Sequence, residues 1–577
     1  MFAGLLPVAL ATLRLAYPVA GGPALKPTKT FAGTYVGSTS TAAFPPPDVP
    51  IDHGLFPPGD VLGFEGKTAT GDEAFAVQTA PAYAYNHDFV PLIQPDVDKS
   101  RHKHKVADDI DLVIEDTNPL AEDDDEEIAR KKKKPFNPVR SWGNLTPWFS
   151  SSFGLDKASP LIPDQCALSQ VHLVHRHGAR YPTGGEGPSK FSAKLHAAAQ
   201  TGKLRFTKDL AFLNSWTYKL GEELLTPFGR KQMFDLGVSF RSNYGSLLKN
   251  FTEKGTFPVF RSETQDRMVK SALNFAAGFF GIPYEDQYQL SLIVEAFGFN
   301  NTFAPYYKCN NVLKAIGPNS PSAKLSNAWI EKYLVEARER LQSQVFGMDL
   351  TIADTHAMQE LCAYETVALG YSAFCPLFTK QEWHGFQYGF DLSFWYGSGF
   401  GSPVAAAQGA GYANELLHRL KRLLPVENPF SVNQTLDGNE ITFPLDQSIY
   451  VDATHEVVLV NILTALDFKA LAHTGPLPAD YIPKHRSFVT SHIAPFGTNL
   501  VIQVVDCAET GRSIRFFLND GALPIGLKGC PKNKDGFCPL DVFIRGLQER
   551  LDSIDWQYDC LADYEFGDNI TDGRAPR

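Results

Sequence analysis

The sequence predicts an α/β fold: a sheet sandwiched between helices, with a smaller helical domain inserted. Two observations carry this. After Cys166 one unit recurs three times, an apolar strand, then a polar turn, then a helix. Between the second and third units, residues from about 285 to 425 are mostly helical in pattern. Strand–helix alternation calls for helices on both faces of a sheet. Ligands of such sheets bind where strand carboxyl ends meet helix N-termini, and all three polar turns fall at that end.

Taken in order, residues 1 to about 140 differ from the rest. Pro and Gly cluster at Phe44 to Asp48 and Pro57 to Gly59. A basic patch (Arg101 to Lys105), an acidic block (Glu122 to Glu127) and a basic block (Arg130 to Lys134) follow. No helical or strand period persists, so this segment reads as a disordered extension or propeptide. Gly4 to Leu13 is a weak signal-like core within residues 1–20, with no cation before it and Arg14 after it. The folded domain is expected over 141–577, with its α/β core at about 160–285 and 425–570 and its helical cap at about 285–425.

The first unit is Val171 to Val174 followed by Arg176, His177 and Gly178. Thr226 is placed to cap the next helix, with Pro227 at its first position and Met233, Leu236, Phe240 and Tyr244 on one face. The second unit is Pro258 to Phe260, then Arg261, with Thr264 as possible N-cap and Met268, Ala272, Phe275 and Phe279 on one face. Ala328 to Gln344 is a helical stretch of the insertion. The third unit is Ile449 to Val451, then Asp452 to His455, with Thr454 as N-cap of a helix through Leu459 and Leu463.

A net charge of −11 argues against nucleic acid or an anionic membrane as main partner. No clean long apolar run marks an integral membrane domain in the body of the chain. All eight cysteines (Cys166, Cys309, Cys362, Cys375, Cys507, Cys530, Cys538 and Cys560) follow residue 165. An even number, thinly spread, suits disulfides in an oxidising compartment, and no clustered Cys/His spacing suggests a metal. Sequons occur at Asn144, Asn250, Asn300, Asn433 and Asn569. Together these favour a secreted or cell-wall-associated glycoprotein; the competing reading is a reduced cytosolic chain with chance sequons. Nothing here specifies an oligomeric state.

The run Val174-His-Arg-His-Gly-Ala-Arg-Tyr-Pro182 places two fixed cations and an imidazole within five residues. That is an anion site with a built-in nucleophile. The pattern Arg-His-Gly-x-Arg-x-Pro resembles the signature of the histidine acid phosphatase family (histidine phosphatase superfamily, branch 2). The resemblance extends over about 160–565. It includes Leu225 to Gly229, Phe260 to Arg267, Ala405 to Gly409, Gly411 to Glu415 and Thr454-His455. Cys507, Asn519-Asp520, Gly529-Cys530, Cys538 and Phe543 to Gly546 are similar to the fungal phytase and acid phosphatase branch.

That resemblance implies a phosphoglycerate-mutase-like sandwich and disulfides 166–507, 309–560, 362–375 and 530–538. It implies that His177 attacks phosphorus, that Arg176, Arg180, Arg261 and His455 bind the phosphate of a small phosphorylated substrate, and that no cofactor or metal takes part. Two departures stand out. The family's His-Asp is His455-Glu456 here, so Glu456 is either the general acid or merely the start of a helix; Asp452 and Glu263 are held in reserve. Thr183 to Lys190 inserts glycines and Glu186 near the mouth, which would repel inositol hexakisphosphate unless Lys190 and Lys194 compensate. A broad acid phosphatase is therefore favoured, with phytase next. The alternatives are a non-catalytic phosphate-binding surface glycoprotein and a phosphohistidine-dependent mutase. His172 and His175 are left outside the site, and Gly397 to Gly401 reads as a loop.

Overall fold

The computed structural model describes residues 136–577 except 152–153, 155–159, 426–427, 510 and 568. The expectations for the N-terminal extension, its charge blocks and its signal-like segment lie outside the described residues.

The strands are β1 Cys166–Arg176, β2 Val259–Glu263, β3 Gln289–Ile293, β4 Ile449–Thr454, β5 Asn499–Cys507, β6 Gly511–Leu518, β7 Gly521–Leu523 and β8 Cys538–Pro539. They form one mixed sheet in the order β8-β6-β5-β1-β4-β2-β3, with β7 paired to β6. β1, β4, β2 and β3 run parallel, while β5 is antiparallel to β1 and β6 to β5. The main helices are α1 Gly187–Ala199, α2 Pro227–Tyr244, α3 Asp266–Phe280, α4 Pro321–Tyr333, α5 Val335–Gln342, α6 Ile352–Leu369, α7 Lys380–Gly397, α8 Ala405–Lys421, α9 Glu456–Ala465 and α10 Leu540–Asp552.

The period-two alternation of β1 makes the layers. Val171 and Leu173 face α2 and α3, packing with Phe240, Phe275 and Phe279. Val174 faces the opposite layer, where α8, α9 and α10 cover Ile502, Val504 and Phe516. Each such buried side chain contributes roughly 1.5–3 kcal/mol. The α2–α3 crossing is close because Gly237 and Gly278 lack side chains. A Cβ on either would fall 2.1 or 2.0 Å from a carbonyl oxygen of the other helix.

The helical lobe has its own core, including Phe191, Leu195, Met358, Leu361, Trp383 and Phe386. Its boundaries differ from those expected. α1 belongs to it, since Phe191 and Leu195 bury against α6, although it precedes residue 285. β3 lies inside the expected cap range yet extends the sheet, and α8 packs in the layer beneath it. The helical stretch from Ala328 breaks at Leu334, between α4 and α5.

Thr226 caps α2 as expected, accepting from the Gly229 amide at 3.0 Å, with Pro227 in the first turn. Two expected caps are corrected. Thr264 instead accepts from the Glu295 amide at 3.1 Å, and Gln265 is the N-cap of α3. Thr454 ends β4 and donates to the Phe303 carbonyl at 3.0 Å, leaving His455 as the N-cap of α9. The four disulfides are 166–507, 309–560, 362–375 and 530–538. The first joins directly paired residues of β1 and β5.

Candidate active site

β1 ends at Arg176, and the chain turns through His177 and Gly178 against the start of α2. A Cβ on Gly178 would meet the Gly229 carbonyl oxygen at 2.2 Å, so this backbone-to-backbone fit requires glycine. His177 is buried and its Nδ1 lies 2.8 Å from the Gly178 carbonyl oxygen. A carbonyl only accepts, so Nδ1 carries the proton and Nε2 presents its lone pair. Burial first, then the Arg176 charge, holds this imidazole well below its ordinary pKa, with Glu456 opposing. The ring is therefore a neutral imidazole.

Arg176 is fully buried. Its Nη1 donates to the carbonyls of Asn144 and Ala494, and its guanidinium lies 4.5 Å over the Phe496 ring. Arg180 donates through Nη1 to the Tyr181 carbonyl at 2.8 Å. Arg176 Nη2, Arg180 Nε and Arg267 Nε are buried donors without a hydrogen-bond partner among the described residues. Fixed guanidinium donors converging beside a buried imidazole suit a tetrahedral oxyanion.

Glu456 opens α9. Its Oε2 lies 2.9 Å from Arg176 Nε and 3.4 Å from His177 Nε2, and its Oε1 accepts from Asn144 Nδ2 at 3.3 Å. Burial alone would raise its pKa. Arg176, then His177 and Arg180, outweigh burial and hold the carboxyl well below its usual range. Without substrate it is an ionised counter-ion of Arg176. His455 sits beside His177, ring centroids 5.9 Å apart. Its Nε2 is in ion-pair contact with Glu263 and lies 3.7 Å from Glu295 Oε2. Burial works against the imidazolium, but Glu263 and Glu295 raise it to about 9.

Arg261, expected to bind phosphate, is placed elsewhere. It is the cross-strand partner of Asp452 in the β2–β4 pairing. Its three nitrogens reach Asp452 (2.7 Å), Asp437 (3.2 Å) and Glu415 (2.6 Å). Arg419 adds a second cation on Asp452 at 2.7 Å. Burial and the neighbouring Glu415 push Asp437 up toward its neutral form. All three guanidinium nitrogens are thus taken up by carboxyl groups, leaving none to bind phosphate. Asp452 is likewise removed from the reserve acids, since Arg261 and Arg419 hold it ionised against burial.

The arginine that does reach the pocket is Arg267, in the first turn of α3. Its charge acts on both His177 and His455, and Nη1 pairs with Glu223 Oε2 at 2.9 Å. It lies six residues beyond Arg261, in the first turn of a helix that starts five residues past that strand arginine, and this helix start is the signal the sequence offers. Asn144 was also misread: it is buried, bonded to Glu456, and is not an exposed sequon. Asn250, Asn300 and Asn569 are exposed, while Asn433 is half-buried and caps a short turn. His172 stacks on Tyr450 and His175 on Phe275, both away from the pocket.

Around Arg180 the field is acidic. Glu186 and Glu223 act on it, and Glu360 of α6 is pushed up to about 8 by burial and by the like charge of Glu186. Lys194 offers no compensation, because it pairs with Asp354 and the Asp349 carbonyl. Two groups have metal-site composition: His177, His455 and Glu456, and Glu263, Glu295 and His455. In the first, a cation would face Arg176 and Arg180; in the second, the imidazolium already supplies the positive charge. Among the described residues no helix is long and apolar enough to cross a membrane.

Comparison with known proteins identifies the family and the fold. Residues 167–519 match the model of the histidine phosphatase superfamily (branch 2). Phytase A of Aspergillus oryzae is 31% identical over 442 residues, covering 73% of this chain and 90% of the relative. Phytase A of Aspergillus fumigatus is 32% identical over 432 residues, covering 72% and 89%. The crystal structure of the phytase from D. castellii matches with a TM-score of 0.61 at 25% identity, covering 78% of this chain and 94% of that one. A multiple inositol polyphosphate phosphatase of Bifidobacterium longum shares the fold, with a TM-score of 0.51 at 13% identity, covering 70% and 96%. The chain belongs to the histidine phosphatase superfamily (branch 2), among its phytase-like phosphoric monoester hydrolases.

Proposed function

We propose that the protein is a secreted acid phosphatase that cleaves phosphomonoesters in two steps through a phosphohistidine at His177. The observation that carries this reading is the His177 ring itself. It is buried and neutral, fixed through Nδ1 on the Gly178 carbonyl, with Nε2 free of a hydrogen-bond partner among the described residues and 3.4 Å from Glu456 Oε2. Nε2 attacks phosphorus and the bond to the leaving oxygen breaks. Arg176, Arg180 and Arg267 take the charge that builds on the phosphoryl oxygens. Glu456 supplies the proton to the leaving alcohol. A dianion on Arg176 removes the interaction that holds Glu456 ionised, so its carboxyl gains a proton when substrate is bound. The carboxylate left behind then draws a proton from water, which attacks phosphorus and breaks the P–N bond.

The carboxylates of Glu223 and Glu186 that act on Arg180, with Lys194 tied to Asp354, favour ordinary phosphomonoesters over inositol hexakisphosphate. The relatives named phytase keep that substrate as the second reading. Four disulfides and three exposed sequons support export.

The test is phosphate release from p-nitrophenyl phosphate and from phytate by wild type and His177→Ala, with an alkaline quench to isolate phosphorylated protein. Wild type should yield acid-labile, alkali-stable protein-bound phosphate that His177→Ala lacks, along with its activity. An active His177→Ala overturns the assignment. Phosphate binding without turnover by wild type would mark a binding protein instead.

A further inference from the structure

We propose that Glu263 is a positioning residue for His455: it engages Nε2, leaves Nδ1 to face the phosphate pocket, and keeps the ring as a fourth cation there. This rests on the reading of His455 as a phosphate ligand. Glu263 is wholly buried at the end of β2, and its carboxylate is in contact with His455 Nε2. Both Glu263 oxygens lack a hydrogen-bond donor among the described residues, so the imidazolium is what compensates this buried carboxyl. Behind it, Glu295 is fixed by Tyr306 Oη at 2.7 Å and Gln265 Nε2 at 2.8 Å. Arg261 and Glu263 are two apart on one strand, yet only the second points at the site, because Arg261 is drawn to Asp452 on β4.

The groups facing His455 are Glu263 from β2, Glu295 after β3, Arg267 from α3, Glu456 from α9, His177 after β1, and Tyr306 through Glu295. Burial and Glu295 raise Glu263 to about 8, while Glu295 itself is held down to about 2. At acid pH the ring is therefore balanced by Glu295, and Glu263 is neutral. As pH rises, Glu263 ionises and takes over. Because the His455 value is raised, its contribution to phosphate binding is complete below about 6.5 and is lost as pH rises through about 9.

The test is the inhibition constant of inorganic phosphate across about pH 4.5 to 8 for wild type, Glu263→Gln and Glu263→Asp, with p-nitrophenyl phosphate as reporter. Gln mimics the protonated carboxyl, so Glu263→Gln should match wild type near pH 4.5 and bind phosphate roughly tenfold more weakly near pH 8. Glu263→Asp should stay within about threefold throughout. The ratio cancels the titrations of phosphate and of Glu456. A pH-independent loss, or none, overturns the proposal. If Glu263→Gln does not fold, the His455 resonance of wild type decides: titration near 9 supports the proposal and titration below 7 overturns it. If wild type does not turn over, phosphate affinity is read by calorimetry, so failure of the phosphatase reading is distinguishable from failure here.

Discussion

Replacing Glu456 by Gln separates two effects of one carboxylate. In the resting site Oε2 lies 3.4 Å from His177 Nε2 and 2.9 Å from Arg176 Nε. A phosphorus atom poised for attack sits about 3–3.5 Å from its nucleophile. Carboxylate and phosphoryl group therefore compete for one place. Two unit charges about 4 Å apart at an effective dielectric of about 20 repel by about 4 kcal/mol. The side chain is 11% exposed, so rotation toward the mouth relieves part of this. If half remains, about 2 kcal/mol, phosphate should inhibit Glu456→Gln about 30-fold more tightly than wild type. The Glu456 value is depressed, so the Arg176 pair is intact above the ordinary carboxylate range and is lost only as pH falls through the lowered value. The competition thus persists through mildly acid pH. Turnover moves the other way. Loss of a general acid costs about 10²–10⁴ for an alkyl ester such as glycerol phosphate, but less than about tenfold for p-nitrophenyl phosphate, whose leaving group departs unprotonated. Initial rates on both esters, with phosphate inhibition, measure both effects. Equal losses on the two esters, or unchanged phosphate inhibition, would refute the reasoning.

Arg261→Ala should act on stability, because it strands Glu415, Asp437 and Asp452 with Arg419 alone; loss of one partner of a buried pair costs about 3–5 kcal/mol. Arg267→Ala should leave the melting temperature within a few degrees and lower kcat/KM by about 10²–10³. Thermal melts and steady-state kinetics separate the two, and an Arg261→Ala that melts like wild type yet cannot bind phosphate would return Arg261 to the pocket. Neutralising Glu186 should raise kcat/KM for phytate about fivefold, from about 1 kcal/mol of screened repulsion, with little effect on p-nitrophenyl phosphate. Equal changes on both substrates would remove Glu186 from specificity.

The sheet and the placing of Arg176 and His177 at a strand end were legible because both rest on local pattern. Val171, Leu173 and Val174 alternate, and the residues after Arg176 crowd at a glycine turn, so strand, turn and charge all lie within one short stretch. The third arginine was not legible, because Arg261 and Arg267 occur in one segment and only tertiary charge distinguishes them. Arg261 meets Asp452 through strand register, a pairing between residues 191 apart. Asn144 illustrates the same limit: its sequon is a local pattern, while its burial against Glu456 spans 312 residues. The cap boundaries shifted for a related reason. Helical periodicity marks α1 and α8 as amphipathic without saying which core each apolar face meets.

The resting site pairs its cations with carboxylates, and substrate must replace two of them. Arg176 is paired with Glu456 and Arg267 with Glu223, while the contact of His455 with Glu263 is not one that substrate opens. Leaving the wholly buried Arg176 unpaired in the dry interior would cost several kcal/mol, so Glu456 stabilises the empty pocket. The same pairing sets selectivity. A singly charged carboxylate ligand brings no more charge to Arg176 than Glu456 already does, whereas a phosphate dianion brings twice as much and has three oxygens to share among Arg176, Arg180 and Arg267. Arg180 is the asymmetric member. Its Nη1 is bound to the Tyr181 carbonyl while Nε has no partner. With no carboxylate in ion-pair contact among the described residues, unlike Arg176 and Arg267, it can donate to the first phosphoryl oxygen before any ion pair opens. Binding would then proceed from Arg180 inward, with Glu456 displaced last, so that the proton it gains arrives when the phosphoryl group already lies against His177.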